Sequence, residues 1–146
     1  KNVLYITYID IRRGNTSSGS SVRPKRIYEC FLERRYNVTL LEGSQLKEKK
    51  KERLHNIKQK EQLSDKTNFE YCYIELPTMP ITFRKDLQLI KLIKNKGIKI
   101  GAFYRDFYWK YPEVWKVTAI RRIYYTFKYK YQLNIFKKYI ECILIQ

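Results

Sequence analysis

The chain alternates short β-branched and aromatic runs with longer segments of helical periodicity, and no tight two-residue turn joins one such run to the next. Strands that cannot pair through hairpins need crossover connections, and crossovers give a parallel sheet. The strands expected are Val3–Ile9, Val38–Leu41, Tyr71–Leu76, Ile98–Phe103 and Cys142–Ile145. The first helix is expected to start at Ser20 or Ser21, with Pro24 in its first turn and Asn37 closing it. Further helices are expected over Leu46 to Leu63, over Arg84 to Lys96 with Gly97 as its cap, and over Val114 to Glu141.

At 146 residues this pattern is one α/β domain, a Rossmann-like doubly wound parallel sheet. Strand order 3-2-1-4-5 is the simplest that lets right-handed crossovers place helices on both faces. It makes the first and fourth strands neighbours. The loops Asp10 to Pro24 and Tyr104 to Pro112 then flank a crevice at the carboxyl ends of the strands, where open α/β sheets bind ligands. The chain starts at a strand without Met and stops at Gln146 directly after another strand, so residues 1–146 are expected to be one domain of a longer polypeptide.

The helices differ in how much apolar surface they offer. The first carries Ile27, Phe31 and Leu32, with Cys30 beside them. Leu46 to Leu63 has few anchors and is expected to be a solvated rim helix. Leu87, Ile90 and Ile93, widened by Leu89 and Leu92, make the clearest amphipathic pattern. The last helix has two stripes: Val117, Ile120, Tyr124, Phe127 and Tyr131, and, turned well away from them, Tyr125, Tyr129, Leu133, Phe136 and Ile140. One stripe covers the sheet. The other meets a second domain, a bilayer surface or a bend; the plainer alternative is a core helix whose tyrosine hydroxyls reach water.

Hydrophobic residues at 44% and charged residues at 31% exclude a disordered or collagen-like chain. Lys and Arg number 31 against 14 Asp and Glu, a formal net charge of +17, which favours polyanions: nucleic acid, anionic lipid or phosphorylated small molecules. Residues 107–140 hold eight Lys or Arg against one acid, Glu113, and most of the aromatic residues lie beyond Ala102. Cys30, Cys72 and Cys142 form no CxxC, and His55 is the only histidine, so the cysteines are expected to be buried thiols of a reducing compartment, with neither disulfide nor zinc. No apolar run reaches the length of a membrane span. The location expected is the cytoplasm, with a peripheral contact on the inner face of the plasma membrane.

No GxxxxGK[ST] or GxGxxG occurs. The Gly14 to Ser21 loop, with Arg23 and Arg26 close behind, reads as a Gly/Ser loop bringing helix N-terminal N–H groups to an anionic or hydroxyl-rich ligand, or more plainly as a surface loop. In Phe103 to Pro112, adjacent Arg105 and Asp106 suit a phosphate and a sugar hydroxyl, and Trp109 offers a face on which a sugar ring can stack. The plainer alternative there is an Asp106 turn cap paired with Arg105.

Gly19-Ser20-Ser21-Val22-Arg23-Pro24, the helix to Arg35 and the strand entered through Tyr36-Asn37 resemble the opening of GT-B-type glycosyltransferases of the retaining family 4 kind. Tyr73-Ile74-Glu75-Leu76-Pro77 and Ile98 to Trp109, with its Tyr-Arg-Asp-x-Tyr-Trp segment, are similar to bacterial glycosyltransferases of surface-polysaccharide assembly; Arg105 stands where many of those have His. The resemblance implies the N-terminal, acceptor-binding half of a two-domain enzyme. The nucleotide-sugar is then held mainly by a C-terminal donor domain absent from this chain, the acceptor is a saccharide or is lipid-linked, and neither a metal nor another cofactor is needed. It also implies roles. Gly19 and Ser20 contact the acceptor through backbone and hydroxyl, Arg23 and Arg105 bind phosphate, Trp109 stacks, and Asp106 is the catalytic candidate, as an orienting group more than as a base. Two rivals remain open on charge alone, a basic nucleic-acid-binding module and a membrane-surface adaptor. No RRM, KH or helix-turn-helix pattern appears and the basic residues follow no single stripe, so nucleic acid is not the expected partner.

Overall fold

The computed structural model describes residues 1–12, 19–105, 110–111, 113 and 115–145. Five parallel strands form one sheet: β1 (Asn2–Ile6), β2 (Asn37–Leu41), β3 (Tyr71–Glu75), β4 (Lys99–Tyr104) and β5 (Cys142–Ile145). Four helices connect them: α1 (Gly19–Glu33), α2 (Lys50–Lys66, entered through a 3-10 turn at Lys47–Lys49), α3 (Arg84–Asn95) and α4 (Ala119–Tyr139). The doubly wound α/β architecture expected from the alternation is present.

The strand order is β2-β1-β3-β4-β5, not 3-2-1-4-5. β1 pairs with β2 on one side (Val3 opposite Val38) and with β3 on the other (Val3 opposite Tyr71), so β3 separates β1 from β4. The polarity of β2 explains this. Asn37 is exposed and Thr39 half-buried, as befits an edge, and the Asn37 side chain donates to Asn2 Oδ1 at 3.0 Å along it. An interior β2 would bury both polar side chains, whereas β3 puts Cys72 and Ile74 into full burial.

The order divides the helices unequally. Leu4, Ile6, Cys72, Ile74, Ile100 and Ala102 face a core completed by Ile57 of α2, Leu89, Ile90 and Ile93 of α3, and Tyr129 and Phe136 of α4. On the opposite face Tyr5, Leu40 and Tyr73 pack with Ile27 and Tyr28 of α1. Leu32, expected in the α1 stripe, stays exposed.

Termination follows local chemistry. Gly97, at φ +77°, closes α3 with the Ile98 N–H on the Ile93 carbonyl. α1 is closed not by Asn37 but by Arg35, which takes the left-handed φ of 58° while the Tyr36 N–H bonds the Phe31 carbonyl. α1 also begins at Gly19, ahead of the expected cap, so Pro24 sits beyond the first turn. Cys72 is buried as expected, but Cys30 and Cys142 are exposed, because Cys30 lies on the outer side of α1 and Cys142 on the edge strand. No helix among the described residues is long and apolar enough to cross a membrane.

α2 is largely solvated, with one large exception. Arg53 is fully buried: its guanidinium bonds Asp86 Oδ1 at 2.7 and 3.1 Å, the Thr7 carbonyl at 2.8 Å and the Gly43 carbonyl at 3.3 Å, and lies 4.5 Å from the centre of the Tyr8 ring. One side chain thus ties the ends of β1 and β2 to the first turn of α3.

Candidate functional site

In this strand order the winding reverses between β1 and β3, since β2 is reached from β1 in one direction and β3 in the other. Loops leaving the carboxyl ends of those strands diverge and open a crevice. A cavity of about 130 Å³ lies there, lined by Thr7, Tyr8 and Ile9 after β1, Arg23 and Pro24 of α1, Gln45 after β2, Glu75 to Thr78 after β3, and Arg105 after β4. The crevice expected between the first and fourth strands therefore lies between the first and third. β4 is no neighbour of β1, yet its following residue reaches the same cavity.

Glu75 organises the floor. It is the last residue of β3 and is 4% exposed. Its Oε2 accepts from Arg23 Nη2 at 2.9 Å and its Oε1 from the Tyr73 hydroxyl at 2.9 Å. The Arg23 guanidinium also stacks 3.8 Å from the centre of the Phe103 ring, a cation–π contact in a partly dry setting. Tyr5 donates its hydroxyl to the Pro24 carbonyl at 2.8 Å, which fixes α1 over β1. Burial, reinforced by the Glu75 charge, pushes the Tyr5 and Tyr73 hydroxyls well above the ordinary tyrosine range, so both act as hydrogen-bond donors and not as acids.

The start of the long loop after β1 is anchored too. Glu42, buried at the end of β2, accepts the Ile11 and Arg12 N–H groups at 2.9 and 3.0 Å and pairs with the Arg12 side chain.

Of the residues expected from sequence, Arg23 and Arg105 are brought together on one cavity. Gly19 and Ser20 open α1, about one turn ahead of Arg23. Asp106 and Trp109 lie outside the described residues. Arg26 is exposed and pairs with Glu29 at 3.4 Å along the outer side of α1. Glu75 and Gln45 line the cavity and Tyr73 supports Glu75, yet no motif or spacing in the sequence marks the three as site residues. The signal for Glu75 was a carboxylate at the end of a run otherwise built to be buried, immediately before Leu76-Pro77.

Among the described lining residues two guanidinium groups stand with one carboxylate, which Arg23 pairs, and with Thr7, Thr78 and Gln45 around them. Drug-sized ligands occupy roughly 300–1,000 Å³, so this space suits a phosphate or one edge of a sugar. Among the described residues no group of three or more His, Cys, Asp or Glu side chains is placed to hold a metal ion. Compared with protein-family models and with the curated proteins, the chain matches none.

Proposed function

We propose that this chain is the acceptor-side domain of a GT-B-type glycosyltransferase, passing a sugar from a nucleotide-sugar to a saccharide or lipid-linked acceptor. The observation that carries the proposal is the shared cavity of Arg23 and Arg105 at the reversal point of a doubly wound sheet. It is supported by the likeness of the Gly19 to Pro24 and Tyr-Arg-Asp-x-Tyr-Trp segments to such enzymes.

In this proposal Arg23, held in register by Glu75 and Phe103, and Arg105 form a cationic clamp on phosphate oxygens. Thr7, Gln45 and Thr78 orient hydroxyl groups. Asp106 receives a hydrogen bond from the acceptor, and Trp109 stacks on its ring. The acceptor oxygen forms the new bond to the anomeric carbon as the bond to the diphosphate breaks. In a retaining transfer the departing phosphate takes the acceptor's proton, so no protein base is required.

The test is amide NMR mapping of the 15N-labelled chain with sugar 1-phosphates, which carry the phosphate and hydroxyl groups of a lipid-linked acceptor. Shifts are expected at Thr7 to Ile9, Arg23, Glu75 to Thr78 and Arg105, and should be lost in Arg105→Gln. Shifts confined to another surface would contradict the proposal. Residues 1–146 alone are expected to transfer no sugar, because the donor domain is separate; robust turnover by the purified chain would contradict the two-domain assignment.

A further inference from the structure

α4 carries an apolar face that no other described element covers. Ile120 is 82% exposed, Phe127 76% and Ile123 71%, and Tyr124 and Tyr131 are more than half exposed. At about 3.6 residues per turn these five lie on one stripe. The opposite side is pinned: the Tyr129 hydroxyl donates to the Thr78 carbonyl at 2.6 Å, Gln132 clamps Ile81, and Phe136 is buried. The helix cannot roll to hide its outer stripe without breaking those contacts.

The charges beside the stripe are of one sign. On the same wheel Arg121 and Lys128 fall roughly 80–100° to one side of the stripe, Lys130 and Lys137 about as far to the other, and Lys138 continues its line beyond Tyr131. α4 contains no carboxylate. Arg122, in contrast, falls on the inward side and is half-buried. Beside the Lys128 rail, a groove of about 500 Å³ between α3 and α4 is lined by Arg84, Lys91 and Lys128, without an acid.

We propose that this face of α4 docks flat on an anionic phospholipid surface. Ile120, Ile123 and Phe127 enter the boundary between headgroups and acyl chains, the two basic rails meet the headgroups, and the α3–α4 groove accepts a headgroup phosphate. Charge selects this occupant. A second copy of the chain would bring like-charged rails together. Tyr124, Phe127 and Tyr131 offer rings to bases, but a nucleic acid would leave Ile120 and Ile123, among the most exposed side chains of the stripe, without an apolar partner, whereas acyl chains cover all five. The proposal is independent of the glycosyl-transfer reading, because the docking face is not part of the β1–β3 cavity.

The test is co-sedimentation of the full chain with phosphatidylcholine vesicles, with and without phosphatidylglycerol, at low and high salt. Binding is expected only with the anionic lipid and should weaken as salt rises, since screening acts over ~8 Å at physiological ionic strength. Each basic side chain near such a surface is worth up to about fivefold in binding. Removing the rails (Arg121→Gln, Lys128→Gln, Lys130→Gln and Lys137→Gln together) should weaken binding at least ~10-fold, as should Ile123→Ser with Phe127→Ser. A charge-matched control on α2 and the 3-10 turn before it (Lys47→Gln, Lys51→Gln, Lys58→Gln and Lys66→Gln) should bind nearly as wild type. Equal loss in rail and control variants would overturn the proposal, as would undiminished binding by a rail variant with native circular dichroism. It would also be overturned by preference for a single-stranded oligonucleotide over the vesicles, or by a dimer that Phe127→Ser dissolves.

Discussion

Gln132 of α4 holds both backbone polar groups of Ile81: the Ile81 N–H donates to Oε1 and Nε2 donates to the Ile81 carbonyl, each at 2.8 Å. Both residues are buried, so neither pair of groups has ready access to water. This contact fixes the rotation of α4 on the segment after β3, and therefore decides which stripe faces outward.

Gln132→Leu keeps the volume but leaves a buried N–H and carbonyl without their partner. Each such group costs about 1–3 kcal/mol, so the urea midpoint should fall clearly with the slope unchanged. A midpoint within error of wild type would show that the clamp does not hold α4.

Arg53 and Asp86 form the most deeply buried ion pair in the described chain, at 2.7 Å and with side chains 0% and 1% exposed. Burial pushes the Asp86 carboxyl above the usual carboxylate range, against the pull of Arg53. Arg53→Met strands that carboxyl and also frees the Thr7 and Gly43 carbonyls, so a loss of ~3–5 kcal/mol is expected in chemical denaturation. Adding Asp86→Leu should recover part of the loss; failure to recover any would place the damage in the backbone contacts alone.

Much of the fold was legible, because local periodicity records which face of an element is buried. The Leu87, Ile90 and Ile93 stripe with Gly97 behind it, and the two faces of α4, are patterns of this kind. Strand order was not legible in the same way, because no local pattern states a strand's neighbour; Asn37 and Thr39 marked β2 as an edge only by their polarity. Arg53 with Asp86, Arg23 with Glu75 and Gln132 with Ile81 are separated by 33, 52 and 51 residues, and each pairing exists only once the crossovers are in place. Of the site, Arg23 in α1 and Arg105 after β4 are legible from their position beside strand ends, whereas Glu75 reads in the sequence only as part of its strand.

Glu141 gives the fold a pH dependence. Burial acts to raise its carboxyl, but Lys94 and the Ile100 N–H, 2.6 Å from Oε2, outweigh it and hold the carboxyl below the usual range. A carboxyl depressed in the folded state contributes stability above its unfolded value, about 4.3 for Glu, and loses it as pH falls through the folded value. The stability gap between wild type and Glu141→Gln should be constant from about pH 6 to 8 and shrink progressively as pH falls below about 4. A gap that stays the same on acidification below that point would contradict this origin.

The three cysteines should separate by access. Cys30 and Cys142 are exposed, while Cys72 is fully buried and burial pushes its thiol far up. Two thiols should react promptly with Ellman's reagent in the native protein, and the third only on unfolding. Prompt reaction of all three would contradict the packing of Cys72 between the sheet and its helices.

The most direct test of the central claim is a crystal structure of the chain grown with a sugar 1-phosphate. The phosphate should lie between Arg23 and Arg105 at the carboxyl ends of β1 and β3, with the sugar hydroxyls toward Thr7, Gln45 or Thr78. A phosphate found only in the α3–α4 groove, with the Arg23–Arg105 cavity unchanged and empty at saturating ligand, would contradict it.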